Sequence, residues 1–199
     1  MLLAPIDSLE KALVRLPGFG RRSALRAALA LVREPARLCE PLEAALATAR
    51  KEVCACSRCG GFTVKDCDPC DMCTDERRDS GALCIVEDAA DIVSLEATGA
   101  FKGRYHALGG KLSPSHRMGP EQLRISQLVE RVQRENFREV LLALSTDMDG
   151  DATALYIAEL LRETGAKVTR LAFGLPADSG IAYSDPLTLR RAIQGRQNV

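Results

Sequence analysis

The sequence predicts an α/β fold, a mostly parallel sheet with helices on both faces, preceded by a pair of short basic helices and a cysteine-rich finger. Three observations carry this. Apolar runs of strand length, Leu83-Cys84-Ile85-Val86 and Val140-Leu141-Leu142-Ala143-Leu144, alternate with helix-length amphipathic stretches, as in sheets covered on both faces. Six of the eight cysteines lie within residues 54–73. Residues 11–26 carry five basic side chains and no acidic one.

The 199 residues hold one ordinary domain with small appendages or two modest domains. With 46% hydrophobic and 27% charged residues, the composition excludes a disordered or membrane-embedded chain. The first ten residues lack the basic start and long apolar run of a signal peptide, and no apolar run approaches bilayer-spanning length. A cytosolic protein with reduced thiols is expected. Twenty-seven basic residues balance twenty-seven acidic ones, so any polyanion must be bound by a local patch.

Apolar positions at Leu9, Ala12, Leu13 and Leu16, and at Ala24, Leu25, Ala28 and Leu29, predict helices over residues 8–15 and 21–32. Leu16-Pro17-Gly18-Phe19-Gly20 between them is a tight hairpin. Gly18 and Gly20 let backbone N–H groups approach a ligand, and the second helix starts directly after them with Arg21 and with Arg22 and Arg26 on one face. This is similar to a helix-hairpin-helix motif, which holds nucleic-acid backbone without reading sequence. The competing reading is a plain antiparallel helix pair with a solvated basic face. A third helix over residues 39–51 is expected to close a bundle through a buried stripe of Leu42, Ala45, Leu46 and Ala49.

In the cysteine stretch two Cys-x2-Cys pairs stand out, Cys56 with Cys59 and Cys70 with Cys73, the usual spacing for structural Zn2+. Cys54 and Cys67 are also in reach, so four ligands are chosen from six candidates, with the twin pairs preferred. A disulfide framework would need an oxidising compartment, and a four-thiolate zinc leaves no open position for catalysis.

Strands are expected over residues 83–86, 105–108, 140–145 and 168–173, with helices over 90–98, 121–135 and 152–163. Ligands of such sheets sit beyond the carboxyl ends of the strands, where Glu87 and the group Asp147, Asp149 and Asp151 fall. Converging carboxylates there make a candidate Mg2+ site, and helix capping is the competing reading. The spacing of an EF-hand and of a P-loop is absent. His106 reads as structural, Cys84 as a small buried hydrophobe, and His116 and Cys39 have no assigned partner.

Taken in order, the Leu-Pro-Gly-Phe-Gly hairpin, the four-cysteine finger with Cys70-Asp71-Met72-Cys73, Ile85-Val86-Glu87, the stretch from Gly103-Arg104-Tyr105-His106 to Leu112-Ser113-Pro114, Asp151-Ala152-Thr153-Ala154-Leu155-Tyr156 and the terminal residues 189–196 resemble the RecR family of bacterial recombination mediators. The resemblance implies a Toprim fold for the sheet. It divides the chain into a helix-hairpin-helix domain at 1–53, a zinc finger at 54–77, a Toprim domain at 78–175 and a C-terminal segment at 176–199. It implies a non-catalytic DNA-repair role: tetrameric rings that bind single- and double-stranded DNA and the partner RecO, sometimes RecF, and help load RecA. Arg22 and Arg26 stand at the family's DNA-binding positions, and Glu87, Asp149 and Asp151 at its acidic Toprim positions. The chain departs from the family pattern in a longer interval between Cys59 and Cys70, in Ser115-His116-Arg117-Met118 where Leu-Asp-Gly-Ile is usual, and in the extra acid Asp147. The alternative function is a Mg2+-dependent Toprim nuclease or topoisomerase-like enzyme. Tyr105, Tyr156 and Tyr183 all lie within or next to the sheet region, and no separate domain carries a nucleophilic tyrosine.

Overall fold

The computed structural model describes residues 2–172, 174–175 and 180–196. The chain divides into two units, Met1–Val53 and Cys54–Val199.

In the first unit, α1 (Ala4–Val14) and α2 (Arg21–Arg33) pack on each other, and Ala24 and Ala28 are the fully buried residues of α2. Methyl side chains one turn apart let the backbones come close. α1 starts ahead of the expected residue 8 because Pro5 falls in its first turn, where a fixed φ and a missing N–H cost nothing. A π-helical turn, Pro35–Cys39, leads into α3 (Glu40–Glu52). The expected buried stripe on α3 is not found: the helix buries no residue, and Leu42 and Leu46 are 42% and 61% exposed. The π turn, rather than α3, packs against α2.

The second unit begins with a two-stranded ribbon, β1 (Val53–Ala55) and β2 (Phe62–Val64), and a short helix, α4 (Asp71–Thr74). Then come β3 (Asp79–Val86), α5 (Ala89–Thr98), β4 (Gly103–Ala107), α6 (Ile125–Glu135), β5 (Glu139–Ala143), α7 (Met148–Leu161), β6 (Lys167–Arg170) and α8 (Pro186–Gln194). The sheet order is β4-β3-β5-β6 and every pairing is parallel. Phe173, expected to end the last strand, lies outside the described residues.

Both faces of the sheet are covered, which is why its central strands read as unbroken apolar runs. Leu83, Ile85, Val140 and Leu142 pack with Leu128 and Val132 of α6 and Ile157 and Leu161 of α7. Cys84, Val86, Tyr105 and Ala107 pack with Ile92 of α5. Cys84 is fully buried and its thiol is pushed up to about 12 by that burial, so it serves as packing. His106 is also fully buried, its Nε2–H donating to the Arg124 carbonyl at 2.9 Å.

At the start of α7, Gly150 lies against the end of β5. A Cβ at this position would stand 2.3 Å from the Ser145 carbonyl oxygen, a backbone atom that cannot swing aside. Gly150→Ala should therefore destabilise the protein by about 1–3 kcal/mol in urea unfolding, despite the roughly 1 kcal/mol gain in helix propensity.

Burial holds the His106 imidazole down at about 4, so protonation disfavours the folded state. This stability is complete above the unfolded value near 6.5 and is lost as pH falls from there through 4. His106→Gln keeps a donor for the Arg124 carbonyl, and its urea midpoint should fall less steeply than wild type between pH 6.5 and 4.

Candidate metal centre and nucleic-acid interface

Cys56, Cys59, Cys70 and Cys73 are all buried, and their sulfur atoms lie within 4.8 Å of one another. The pairs Cys56–Cys73 and Cys59–Cys70 stand 3.9 and 3.6 Å apart. A tetrahedral ion with bonds of about 2.3 Å requires edges of about 3.8 Å, so the donor set fits a metal ion. Among the six candidates, Cys54 and Cys67 stay outside this cluster, and Cys67 donates to the Asp71 carboxylate at 3.0 Å.

Local chemistry shapes each pair. Gly60, at φ +75°, turns the chain so that its N–H reaches the Cys56 carbonyl at 2.9 Å and Cys56 N–H reaches the Gly61 carbonyl at 2.7 Å. The Cys73 N–H closes on the Cys70 carbonyl at 2.8 Å, and the Asp68 carboxylate accepts from both Ser57 N–H and Ser57 Oγ, tying the two turns together. Without a cation, four sulfurs this close cannot all ionise. Hydrogen bonds from Cys59 and Cys73 lower the Cys70 pKa, while Cys59 is pushed up to about 12 by its hydrogen bond with Cys70. Cys73 is pushed up by Cys59 and Cys70. A bound divalent ion would remove this repulsion and let all four act as thiolates.

The finger is fastened to the sheet by main-chain bonds and by one carboxylate. Ala107 N–H donates to the Cys59 carbonyl at 2.7 Å, and Arg124 Nη2 to the Ser57 carbonyl at 2.9 Å. Arg58 grips Glu135 of α6 through Nε at 3.1 Å and Nη2 at 2.9 Å. Arg104 and Arg131 reach the same carboxylate at 3.1 and 3.2 Å. Burial alone would raise the Glu135 pKa, but Arg58, Arg131 and Arg104 outweigh it and hold the group below the usual carboxylate value. Sequence reading missed this network: Arg131 and Glu135 stand four apart on α6, but Arg58 and Arg104 come from distant parts of the chain with no spacing that links them to Glu135.

Among the described residues no group of three carboxylates forms a metal-ligand set, so Glu87, Asp149 and Asp151 are not brought into one coordination sphere. Glu87 accepts from Ser145 N–H at 2.5 Å and has Lys111 Nζ at 3.8 Å. Lys111 also bonds Asp147 and Ser145 Oγ, and its ammonium holds the Asp147 carboxyl down at about 2. Asp147 caps α7 by accepting from Gly150 N–H at 2.8 Å, the capping role set against metal binding above. Asp151 is held by Arg170 at 2.5 Å and by Arg191 of α8 at 2.9 Å. The carbonyl of Asp149 accepts from the buried Thr153 hydroxyl at 2.6 Å. The protein's own cations thus surround this edge. The one legible signal was Lys111 after Gly109-Gly110, which has no P-loop spacing.

In the first unit, Gly18 takes φ +81° in the hairpin and Gly20 caps α2, its N–H held by Ser23 Oγ at 2.9 Å. Space around both glycines is open. Arg21, Arg22 and Arg26 are exposed, and the first turn of α2 carries no acid beside its positive dipole end. Arg21 also lines a groove of about 530 Å³ with Asp7, Glu10, Lys11, Val14 and Arg15, whereas Arg22 and Arg26 are not part of it.

Removal of metal by a strong chelator should unfold the finger and weaken the sheet fastened to it, read as loss of circular dichroism or a change in size. Unaltered spectra and size in a metal-stripped sample would overturn a structural role for the cysteine cluster.

A Toprim domain model matches residues 81–172, and a model of the RecR C-terminal region matches residues 174–197. No helix among the described residues is long and apolar enough to cross a membrane. The chain is similar to a protein named Recombination protein RecR from Moorella thermoacetica, 45% identical over 98% of this chain and 97% of the relative. Proteins of the same name from Methylocella silvestris, 46% identical over 96% and 94%, and Desulfitobacterium hafniense, 45% identical over 98% and 96%, are similar along the same length. Near-complete coverage at this identity, with both regional models matching in chain order, shows that the chain belongs to the RecR family.

Proposed function

We propose that the protein is a non-catalytic, sequence-independent DNA-binding mediator of recombinational repair in the cytoplasm, working with RecO, and with RecF, to load RecA on single-stranded DNA. The observation that carries the DNA-binding part is the open N-terminal end of α2, where Gly18 and Gly20 leave room for a backbone phosphate beside Arg21, Arg22 and Arg26. In this reading residues 1–53 bind DNA, residues 54–77 form a finger around structural Zn2+ on Cys56, Cys59, Cys70 and Cys73, residues 78–175 are the Toprim domain, and residues 176–199 are a C-terminal segment. Zn2+ is favoured by a buried, closed set of four sulfur donors.

Exposed apolar residues support assembly of copies into a ring, with a tetramer as the expected size. Leu29, Val32, Leu42 and Leu46 of the first unit, and Leu155 and Leu160 of α7, are left uncovered within one chain. The Mg2+-dependent enzyme reading is less well supported: Arg170 and Arg191 hold Asp151, and Lys111 lies against Glu87 and Asp147, so these carboxylates would have to release a cation before taking up an ion.

The test mixes the protein with labelled single- and double-stranded DNA in Mg2+ and runs native and denaturing gels. A native shift with intact strands is expected, and cleaved or covalently attached strands would move the reading to a Toprim enzyme. Arg22→Ala with Arg26→Ala should weaken binding and lower the slope of log affinity against log salt by about one unit per arginine, with the fold intact. A binding curve unchanged by the double substitution would overturn the hairpin assignment.

A further inference from the structure

The arginines around Glu135 outnumber the carboxylates that answer them. Arg58, Arg104 and Arg131 converge on one acid, and Arg131 is 2% exposed. Arg131 also donates through Nη1 to the Tyr105 carbonyl at 2.7 Å, yet its Nη2 and the Nε of Arg104 are buried with no partner. Three guanidinium groups and one carboxylate leave two positive charges in a largely buried place, which costs free energy unless an anion answers them. A divalent ion held by four thiolates carries two negative charges. Arg58 joins the two groups: it lies between Cys56 and Cys59 in sequence, its Nη1 donates to the Cys73 carbonyl at 3.0 Å, and its other nitrogens hold Glu135.

The geometry points to Arg58 as a positioning residue and counter-charge for the metal centre, clamped in place by Glu135. It spans both cysteine turns and sets its charge beside the sulfur cluster, favouring the metal-loaded form. Glu135, held by Arg104 and Arg131, keeps the Arg58 guanidinium from turning to solvent. The inference rests on the cysteine cluster binding Zn2+.

The test is competition for Zn2+ between a chromogenic chelator and the full-length protein, with Co2+ absorption reporting sulfur coordination. Arg58→Met keeps the stem and removes charge and donors, and its Zn2+ affinity should fall about 10–100-fold, the range for partners that hold metal ligands. Arg58→Lys should recover part of the loss, because it restores charge without the fork. Arg124→Met removes a different fastening of the finger, the bond to the Ser57 carbonyl, and should lose less affinity than Arg58→Met. Wild-type affinity in Arg58→Met, or equal losses in Arg58→Met, Arg58→Lys and Arg124→Met, would overturn the inference. Should Arg58→Met fail to fold, Glu135→Gln decides: weaker Zn2+ binding supports the clamp and wild-type binding overturns it. Absence of Zn2+ binding by the wild-type protein would instead sink the metal reading itself.

Discussion

Four thiols gathered within 4.8 Å impose the constraint on which the second unit depends. They lie in a stretch with few apolar side chains, where a two-stranded ribbon and a single helical turn cannot supply enough burial to order themselves. Close sulfurs also repel one another as thiolates, and a cation at their centre would relieve that repulsion. A bound ion would supply the ordering free energy of the finger. Glu135 then connects the finger to the sheet, because the carboxylate that holds Arg58 belongs to α6 and is also held by Arg104 of β4. Removing one member of a buried ionic group of this kind costs about 3–5 kcal/mol, since the remaining charges stay desolvated and unpaired.

A second set of charges lies beyond the strand ends, where the acids fall. A parallel sheet with crossover helices brings such residues to one edge by topology alone. Topology does not decide what neutralises them. Lys111 reaches Asp147 and Glu87 from the loop after β4, Arg170 reaches Asp151 from the end of β6, and Arg191 reaches it from α8. The ion pairs on Glu87, Asp147 and Asp151 act together as a structural joint. It fastens α7, α8 and the loop after β4 to the sheet, and Gly150 is the small residue that permits the close approach of α7.

The first unit is built differently. Its buried surface is small, centred on Ala24 and Ala28, while Leu29, Val32, Leu42 and Leu46 remain exposed. A helical unit with so little core leaves apolar surface that the proposed assembly of copies would cover. The cationic end of α2 is independent of that burial. It needs only the hairpin glycines, a helix terminus and arginines on exposed positions, and a hairpin with open space around it supplies all three.

Local chemistry made much of the protein legible. Strand and helix order followed from period and apolar runs, the hairpin from Pro17, Gly18 and Gly20, and the preferred metal set from two Cys-x2-Cys pairs, because each depends on residues a few positions apart. The choice of Cys56, Cys59, Cys70 and Cys73 over Cys54 and Cys67 required the ribbon to set which sulfurs face inward. Exposure of the α3 stripe could not be read either, since a helical period reports an apolar face and says nothing of what covers it. The α8 helix began with a signal as short as Asp185-Pro186, where the Asp185 carboxylate accepts from Leu187 and Thr188 N–H. Composition, period and spacing by themselves determined the α/β class, the element order and the candidate residues. Folding decided which charges meet, joining Arg58 to Glu135 and Lys111 to Asp147, because ion pairs between residues 36 to 77 positions apart form only when packing brings their helices, strands and loops together.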